Sequence, residues 1–366
     1  MVVVQTVESV TGVPGGLGLP FELAATRDGG VALIDGQGPN GPTVMQLDSA
    51  GVWVRQLGRI GDGPGEYRGP NQLAATASDE IWIYDVSAGR RLVGWSAVTG
   101  QPIGTVSPEV NPGGPGLALI PAAVDGFWVQ ASPRVREGGR GAAARPWAWY
   151  LIDRHGTITD SIRPTDSDTL TRTGPRAFAT LQESLPHGSN AIIRVRHEQL
   201  AFELVGKDGA VLRTVVLDTT STPQVLEGER QAQADLNEFN QKFSGGMAPS
   251  TVVPDRKDAI RWMATDASGR IWILPHARGI DTGEERPVLP VAMPGMPTTR
   301  FAEPVRLIGV CGDGSDPVEA TIPGVVGPVK VSFTSDGFWL LRSTSSGGAA
   351  LSRWEFEESL SPCGAD

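Results

Sequence analysis

Apolar and polar residues follow one another along this chain in a repeated hairpin rhythm: an apolar strand, a short polar turn, then a second apolar strand often centred on tryptophan. The rhythm reads LAATRDGGVALID from Leu23, LAATASDEIWIYD from Leu73 and LIPAAVDGFWVQ from Leu119. It returns as MATDASGRIWIL from Met263 and VSFTSDGFWLLR from Val331, and a weaker copy, FATLQESLPHGSNAIIRV, begins at Phe178. The turns are rich in Asp, Ser and Gly, which tolerate the positive φ of tight hairpins.

A second hairpin follows most of these. Val44-Met45-Gln46-Leu47 turns at Asp48–Gly51 into Val52-Trp53-Val54, and Trp149–Ile152 turns at Asp153-Arg154-His155-Gly156. Each unit therefore predicts four antiparallel strands. Such a sheet is apolar on both faces, and radial stacking buries both while leaving only short edges. The predicted fold is all-β, a six-bladed β-propeller occupying residues 1–366 as a single domain. The last unit runs out of chain after three strands, and Val2–Val10 can supply the fourth by pairing near Trp354 and Phe356. A ring closed by its own termini needs no partner chain, so a monomer is expected.

A helical insertion interrupts the strands at about 222–244. Thr222 suits the N-cap and Pro223 the first helical position. Ala232, Leu236, Phe239 and Phe243 recur at helical spacing, and Gly245-Gly246 ends the run. A narrow stripe of this kind predicts contact on one side, as a buttress on blade edges or as a lid over the channel.

The segment Gly58-Arg59-Ile60-Gly61-Asp62-Gly63-Pro64-Gly65-Glu66-Tyr67, with Pro70 ahead of Leu73, resembles the G-x-x-G-x-G-P-G-E-F linker of bacterial NHL-like propellers. Asp85 with Arg90-Arg91 is similar to the D-x-x-x-x-R-[IV] that follows it, with Arg91 departing from the apolar final position. The motif is specific in one blade, and Thr11–Pro20 echoes it in part. The resemblance implies a six-bladed propeller and, from the leaders common in such proteins, export with or without a lipid anchor.

In propellers of this kind the inner strand starts at the top face, where the inter-blade linkers and the loops between second and third strands open. The long connections here fall on that face, where binding is expected. Candidate ligand-binding residues are Arg59, Glu66, Arg68, Arg134, Arg136, Arg140, Trp147, His197, His276 and Arg278. Their cationic excess suits a glycan, an anionic ligand or a protein partner, although acidic neighbours such as Glu66, Asp255 and Asp258 oppose it. Trp82, Trp128, Trp272 and Trp339 share one strand position and are expected between blades.

Net charge of −10 and a pI near 5.0 disfavour nucleic-acid binding. No apolar run approaches the ~18 residues of a membrane-spanning helix. The opening residues, Met1-Val2-Val3-Val4-Gln5, lack a signal peptide's basic segment and apolar run. Cys311 and Cys363 both map to the bottom face one blade apart, and a disulfide between them would tie the tail to its neighbour. Such a bond implies a secreted or periplasmic location.

The main expectation is a non-catalytic binding propeller without a cofactor. The alternative is a calcium-dependent lactonase or hydrolase, because lactonases of the calcium-bound six-bladed type resemble this architecture. Glu22, Asn71 and Asp258 lie near inner-strand starts and would be its oxygen ligands. Lys330 and Arg176 lie at similar positions and would repel the ion. Four histidines, two of them in bottom turns, are too few for a zinc centre. There is no G-x-S-x-G, P-loop or H-E-x-x-H motif.

Overall fold

A computed structural model describes the chain except for residues 39, 88, 113–118, 123–125, 134–147, 163–176, 180–183, 189, 220–221, 247–249, 289–294, 345–347 and 364–366. Six antiparallel sheets make a six-bladed β-propeller. Blade 1 contains Pro20–Ala25, Val31–Gly38, Gly41–Leu47 and Trp53–Leu57, inner to outer. Blade 2 runs Pro70–Ala75, Glu80–Asp85, Arg91–Ser96 and Pro102–Val106. In blade 3 both Val110–Pro112 and Leu119–Pro121 pair with Phe127–Pro133, followed by Ala148–Ile152 and Ile158–Ile162. Blade 4 contains Ser184–His187, Ala191–Arg196, Leu200–Gly206 and Val211–Asp218. Its inner strand starts later than the repeat beginning at Phe178 predicts, and Phe178 sits in a turn with φ of 55°.

Blade 5 is Ile260–Thr265, Ile271–Pro275, Pro304–Val310 and Val318–Val326. A separate antiparallel hairpin, Ile280–Pro287 with Thr298–Ala302, is inserted between its second and third strands. Blade 6 takes three strands from the C-terminal end, Val329–Phe333, Gly337–Ser343 and Ala349–Phe356. Its outer strand is the N-terminal Val3–Val7, with Val3 opposite Phe356 and Gln5 opposite Trp354. The two chain ends thus share one sheet, as the three-stranded last repeat predicts.

The bottom turns repeat one device. The Oδ1 atoms of Asp48, Asp153 and Asp266 each accept backbone N–H bonds from the residues two and four further on. This is the side-chain-to-backbone bonding that makes Asp a turn residue. The repeated tryptophans are buried between blades as expected. Trp272 stacks on Phe333 and Phe356 of blade 6 at 4.6 and 5.3 Å, and the Trp339 indole N–H donates to Gly29 O in blade 1 at 3.0 Å. Trp82 meets Phe127 of blade 3 edge to face at 5.5 Å.

Cys311 and Cys363 form a disulfide. Beside it the buried Arg270 guanidinium donates to Asp316 and to the Ser361 carbonyl, so the tail is held under blade 5 by a bond and a charge. Among the described residues no helix is long and apolar enough to cross a membrane.

The helix occupies Glu227–Phe243, four residues later than the Thr222-Pro223 signal predicts. Residues 223–225 are already committed to extended pairing with 255–257. Val225 N donates to Asp255 O, Lys257 N to Pro223 O, and Gln224 bridges Arg256. The helix therefore starts after Leu226, whose N–H is capped by the Glu229 carboxylate at 2.9 Å. Glu229, Ala232 and Leu236 are buried, whereas Phe243 is 75% exposed and only stacks on Phe239. The helix lies against the inserted hairpin strand Thr298–Ala302.

Candidate functional site

Two of the blades organise their top ends around one residue of the second strand. In blades 1 and 2 it is aspartate, three positions after the inter-blade core residue. Asp35 accepts the N–H groups of Gly18, Leu19 and Gln37 at 2.6 to 3.0 Å. Asp85 accepts those of Arg68, Gly69 and Ser87 at 2.9 to 3.1 Å and the Arg91 Nε–H at 3.3 Å. Burial works to raise the Asp85 pKa, but these N–H bonds and Arg91 outweigh it and hold the carboxyl low. Each aspartate thereby fixes the incoming linker and the outgoing loop.

Blade 5 has Pro275 at that position, and a different network takes over. The linker N–H groups of Asp258 and Ala259 donate instead to the carbonyls of Phe178 and His197 in the blade 4 region. Glu303, just before the third strand, accepts the Ala277 N–H at 2.9 Å and lies 3.1 Å from His276 Nδ1. Lys257 Nζ donates to Glu303 at 2.8 Å, to Glu229 of the helix at 2.6 Å and to Ala277 O at 2.8 Å. The ammonium also sits 4.9 Å from the centre of the Phe178 ring.

Burial pushes the Glu303 pKa up. The His276 hydrogen bond and the charges of His276, Lys257 and Arg261 more than offset this, bringing it down to about 2. An ionised Glu303 only accepts, so His276 donates through Nδ1. Its Nε2 is buried without a described partner. Gly279 permits the packing, since a Cβ there would lie 2.4 Å from Glu229 Oε1. The network joins the linker, the helix, the segment after the second strand and the residue ahead of the third strand into one corner.

A ring of side chains lines the top of the channel one step further in. Glu22, Gln72, Trp262 and Lys330 hold the equivalent inner-strand position in blades 1, 2, 5 and 6 by their pairing registers. Lys330 Nζ lies 2.7 Å from Glu22 Oε2, and Gln72 Nε2 approaches the same oxygen at 3.4 Å.

The sequence-predicted residues divide into three groups. Arg134, Arg136, Arg140 and Trp147 lie outside the described residues. Arg59 and Arg68 are not free cations: Arg59 Nε meets Glu66 Oε1 at 2.6 Å and Arg68 Nε meets Asp62 Oδ1 at 2.7 Å. The Gly63 N–H and Arg59 hold Glu66 below the usual carboxylate range. The inserted-hairpin arginines are paired likewise, Arg286 with Glu284 and Arg300 with Asp281. Acidic neighbours therefore cancel much of the positive top face that the arginine count suggests, although Arg278 is exposed and carries no described ion pair. His197 and His276 do lie together at the blade 4–5 corner, with His197 Nδ1 3.1 Å from Asp258 Oδ2.

Two of the three proposed calcium ligands, Glu22 and Asp258, have separate engagements. Glu22 is held by Lys330 and Asp258 by His197, while the residue that reaches Glu22 is Gln72, the neighbour of Asn71. Among the described residues no three His, Cys, Asp or Glu side chains form a group that would hold a metal. Sequence reasoning missed Lys257, Glu229 and Glu303 as a unit. Glu229, Lys257, His276 and Glu303 share no spacing or motif, so the sequence carries no signal that groups them.

No protein-family model and no curated protein matches the chain in sequence. Solved structures do resemble it. A Bacteroides fragilis NCTC 9343 protein described as a "putative exported protein" superposes with a TM-score of 0.51 at 11% identity, covering 97% of this chain and 96% of the other. A DUF4221 family member from Bacteroides vulgatus ATCC 8482 gives 0.51 at 10% identity, with 95% of each chain covered. These likenesses concern the fold.

Proposed function

We propose that this chain is an exported propeller that binds a ligand on its top face without transforming it. The observation that carries the reading is the asymmetry of the two faces. The helix and the inserted hairpin both rise on the top, braced by the buried Lys257 network, while the described bottom connections are tight turns and a stapled tail. A rigid scaffold that elaborates loops at one end is the usual architecture of a binding surface.

Export is supported by the disulfide and by the description of the Bacteroides fragilis neighbour. The linker Gly58–Tyr67 supports kinship with NHL-like propellers, which is part of the same proposal. Catalysis by the His276–Glu303 pair is disfavoured. The outer imidazole nitrogen is buried, and among the described residues no Ser or Cys side chain hydrogen-bonds to it.

The test is a thermal-shift panel of sugars, organic acids, phosphate and peptides, run beside lactone and ester hydrolysis assays with added calcium. A saturable rise in melting temperature without turnover is expected. Calcium-dependent hydrolysis that is lost in Glu22→Gln would overturn the reading in favour of the lactonase.

A further inference from the structure

Blade 6 breaks the top-face rule more sharply than blade 5. The register Val329 opposite Arg342 places Arg342 where blades 1 and 2 have Asp35 and Asp85, three residues beyond the repeat tryptophan Trp339. Side chains alternate along a strand, and Phe338 and Leu340, of the same parity as Arg342, pack in the core shared with Trp272 and Leu274 of blade 5. Arg342 therefore leans towards blade 5. It is half-buried and its side chain has no described hydrogen bond or ion pair, so the carboxylate of blades 1 and 2 is replaced by a cation without a partner among the described residues.

A second cation reaches the linker that leads into blade 6. Arg261, on the innermost strand of blade 5, donates Nη1–H to the carbonyl of Gly327 in the linker to blade 6 at 3.1 Å. No described carboxylate is in ion-pair range of Arg261, and the residue is half-buried. Burial lowers its pKa, and Glu303, already held by Lys257 and His276, opposes this only through space. Lys330 follows Gly327 by three residues. It shares Glu22, yet its side chain is 42% exposed and has donors to spare. Trp262 is half-buried on the same rim.

Unpaired guanidinium groups against a low-dielectric wall favour an oxyanion, which they bind in a planar two-point fashion. Building on the ligand-binding reading above, we propose that the top mouth of the channel between blades 5 and 6 is an oxyanion site. Arg261 and Arg342 grip a carboxylate or phosphate of a small ligand, Lys330 adds a third donor, and Trp262 flanks the ligand's body.

Isothermal titration of the whole protein with glucuronate, inorganic phosphate and glucose, at low and at physiological salt, tests this. One-to-one binding of glucuronate or phosphate is expected, weaker at higher salt, and whichever anion binds identifies the oxyanion. Arg261→Met and Arg342→Met should each weaken it at least tenfold, with Arg261→Lys retaining part. Neither arginine has an ion pair to lose among the described residues, and unchanged circular dichroism and melting would confirm folded variants. No saturable binding of either anion, or an affinity in both methionine variants equal to that of the parent protein, overturns the site. Glucose binding unaffected by Arg261→Met would sink the oxyanion site and leave the ligand-binding reading standing. Turnover of a bound anion would do the reverse.

Discussion

Lys257 Nζ and Glu303 Oε1 meet 2.8 Å apart with the lysine side chain fully buried and the glutamate side chain 9% exposed. The lysine comes from the linker entering blade 5 and the glutamate from the position just before its third strand. Together with Glu229 they replace, in this one corner, the single aspartate that closes blades 1 and 2. The replacement brings a helix along, because Glu229 lies in its first turn.

Removing the cation should therefore cost far more than a surface ion pair would. Lys257→Met leaves Glu229 and Glu303 buried without their shared partner. Loss of one member of such a group typically costs about 3–5 kcal/mol. Urea denaturation at neutral pH should show a loss of that order, and hydrogen exchange should speed up across residues 227–243 ahead of the blades. Unchanged exchange in the helix would show that Lys257 does not anchor it.

The same corner sets an acid sensitivity. Glu303 falls from an ordinary 4.5 to about 2 in the folded chain. A depressed pKa means that the folded state prefers the ionised form, so the stabilisation is present above about pH 4.5. It is lost as pH falls towards 2. The shift corresponds to something on the order of 3 kcal/mol. Chemical denaturation between pH 5 and pH 2 should show this slope, and Glu303→Gln should flatten it.

The blade count, the buried tryptophans and the shared last sheet were all legible in the residues, because each is a periodic feature or a missing member of a period. The LAAT-turn-IWIY rhythm repeats often enough that a blade with three strands points to its fourth. The disulfide was legible once both cysteines mapped to one face. The Lys257 cluster was not, since its members span residues 229 to 303 and have no spacing in common. The helix start misled for a local reason. Thr222-Pro223 is a good helix opening in isolation, but pairing of 223–225 with 255–257 holds that backbone extended. The inserted hairpin lay inside the Pro275–Pro304 loop, where its exposed strands show no apolar alternation.

Reduction should loosen the ring from the bottom. The disulfide joins residues 52 apart, and a loop of that length corresponds to about 4 kcal/mol in the chain-entropy model. Cys311→Ser with Cys363→Ser should lower the urea midpoint accordingly, and a reductant should reproduce the effect in the parent protein. An unchanged midpoint would mean that Arg270 and the N-terminal strand already hold the tail unaided.

A final prediction separates packing between blades from strand propensity. Gly94 and Gly104 face each other across the outer half of blade 2, on the same sheet and in direct register. A Cβ on Gly94 would lie 2.7 Å from the Trp82 ring, whereas one on Gly104 would meet that ring only at 3.9 Å. Trp82 cannot retreat, because Phe127 of blade 3 packs against it. Gly94→Ala should thus destabilise by about 1–3 kcal/mol through overpacking. Gly104→Ala should be neutral or stabilise by up to about 1 kcal/mol by restricting the unfolded chain. Thermal unfolding of the two variants side by side measures the difference. Equal melting temperatures would show that the blade 2–3 seam yields to one methyl group, contrary to a core in which the repeated tryptophan sets the spacing of the blades.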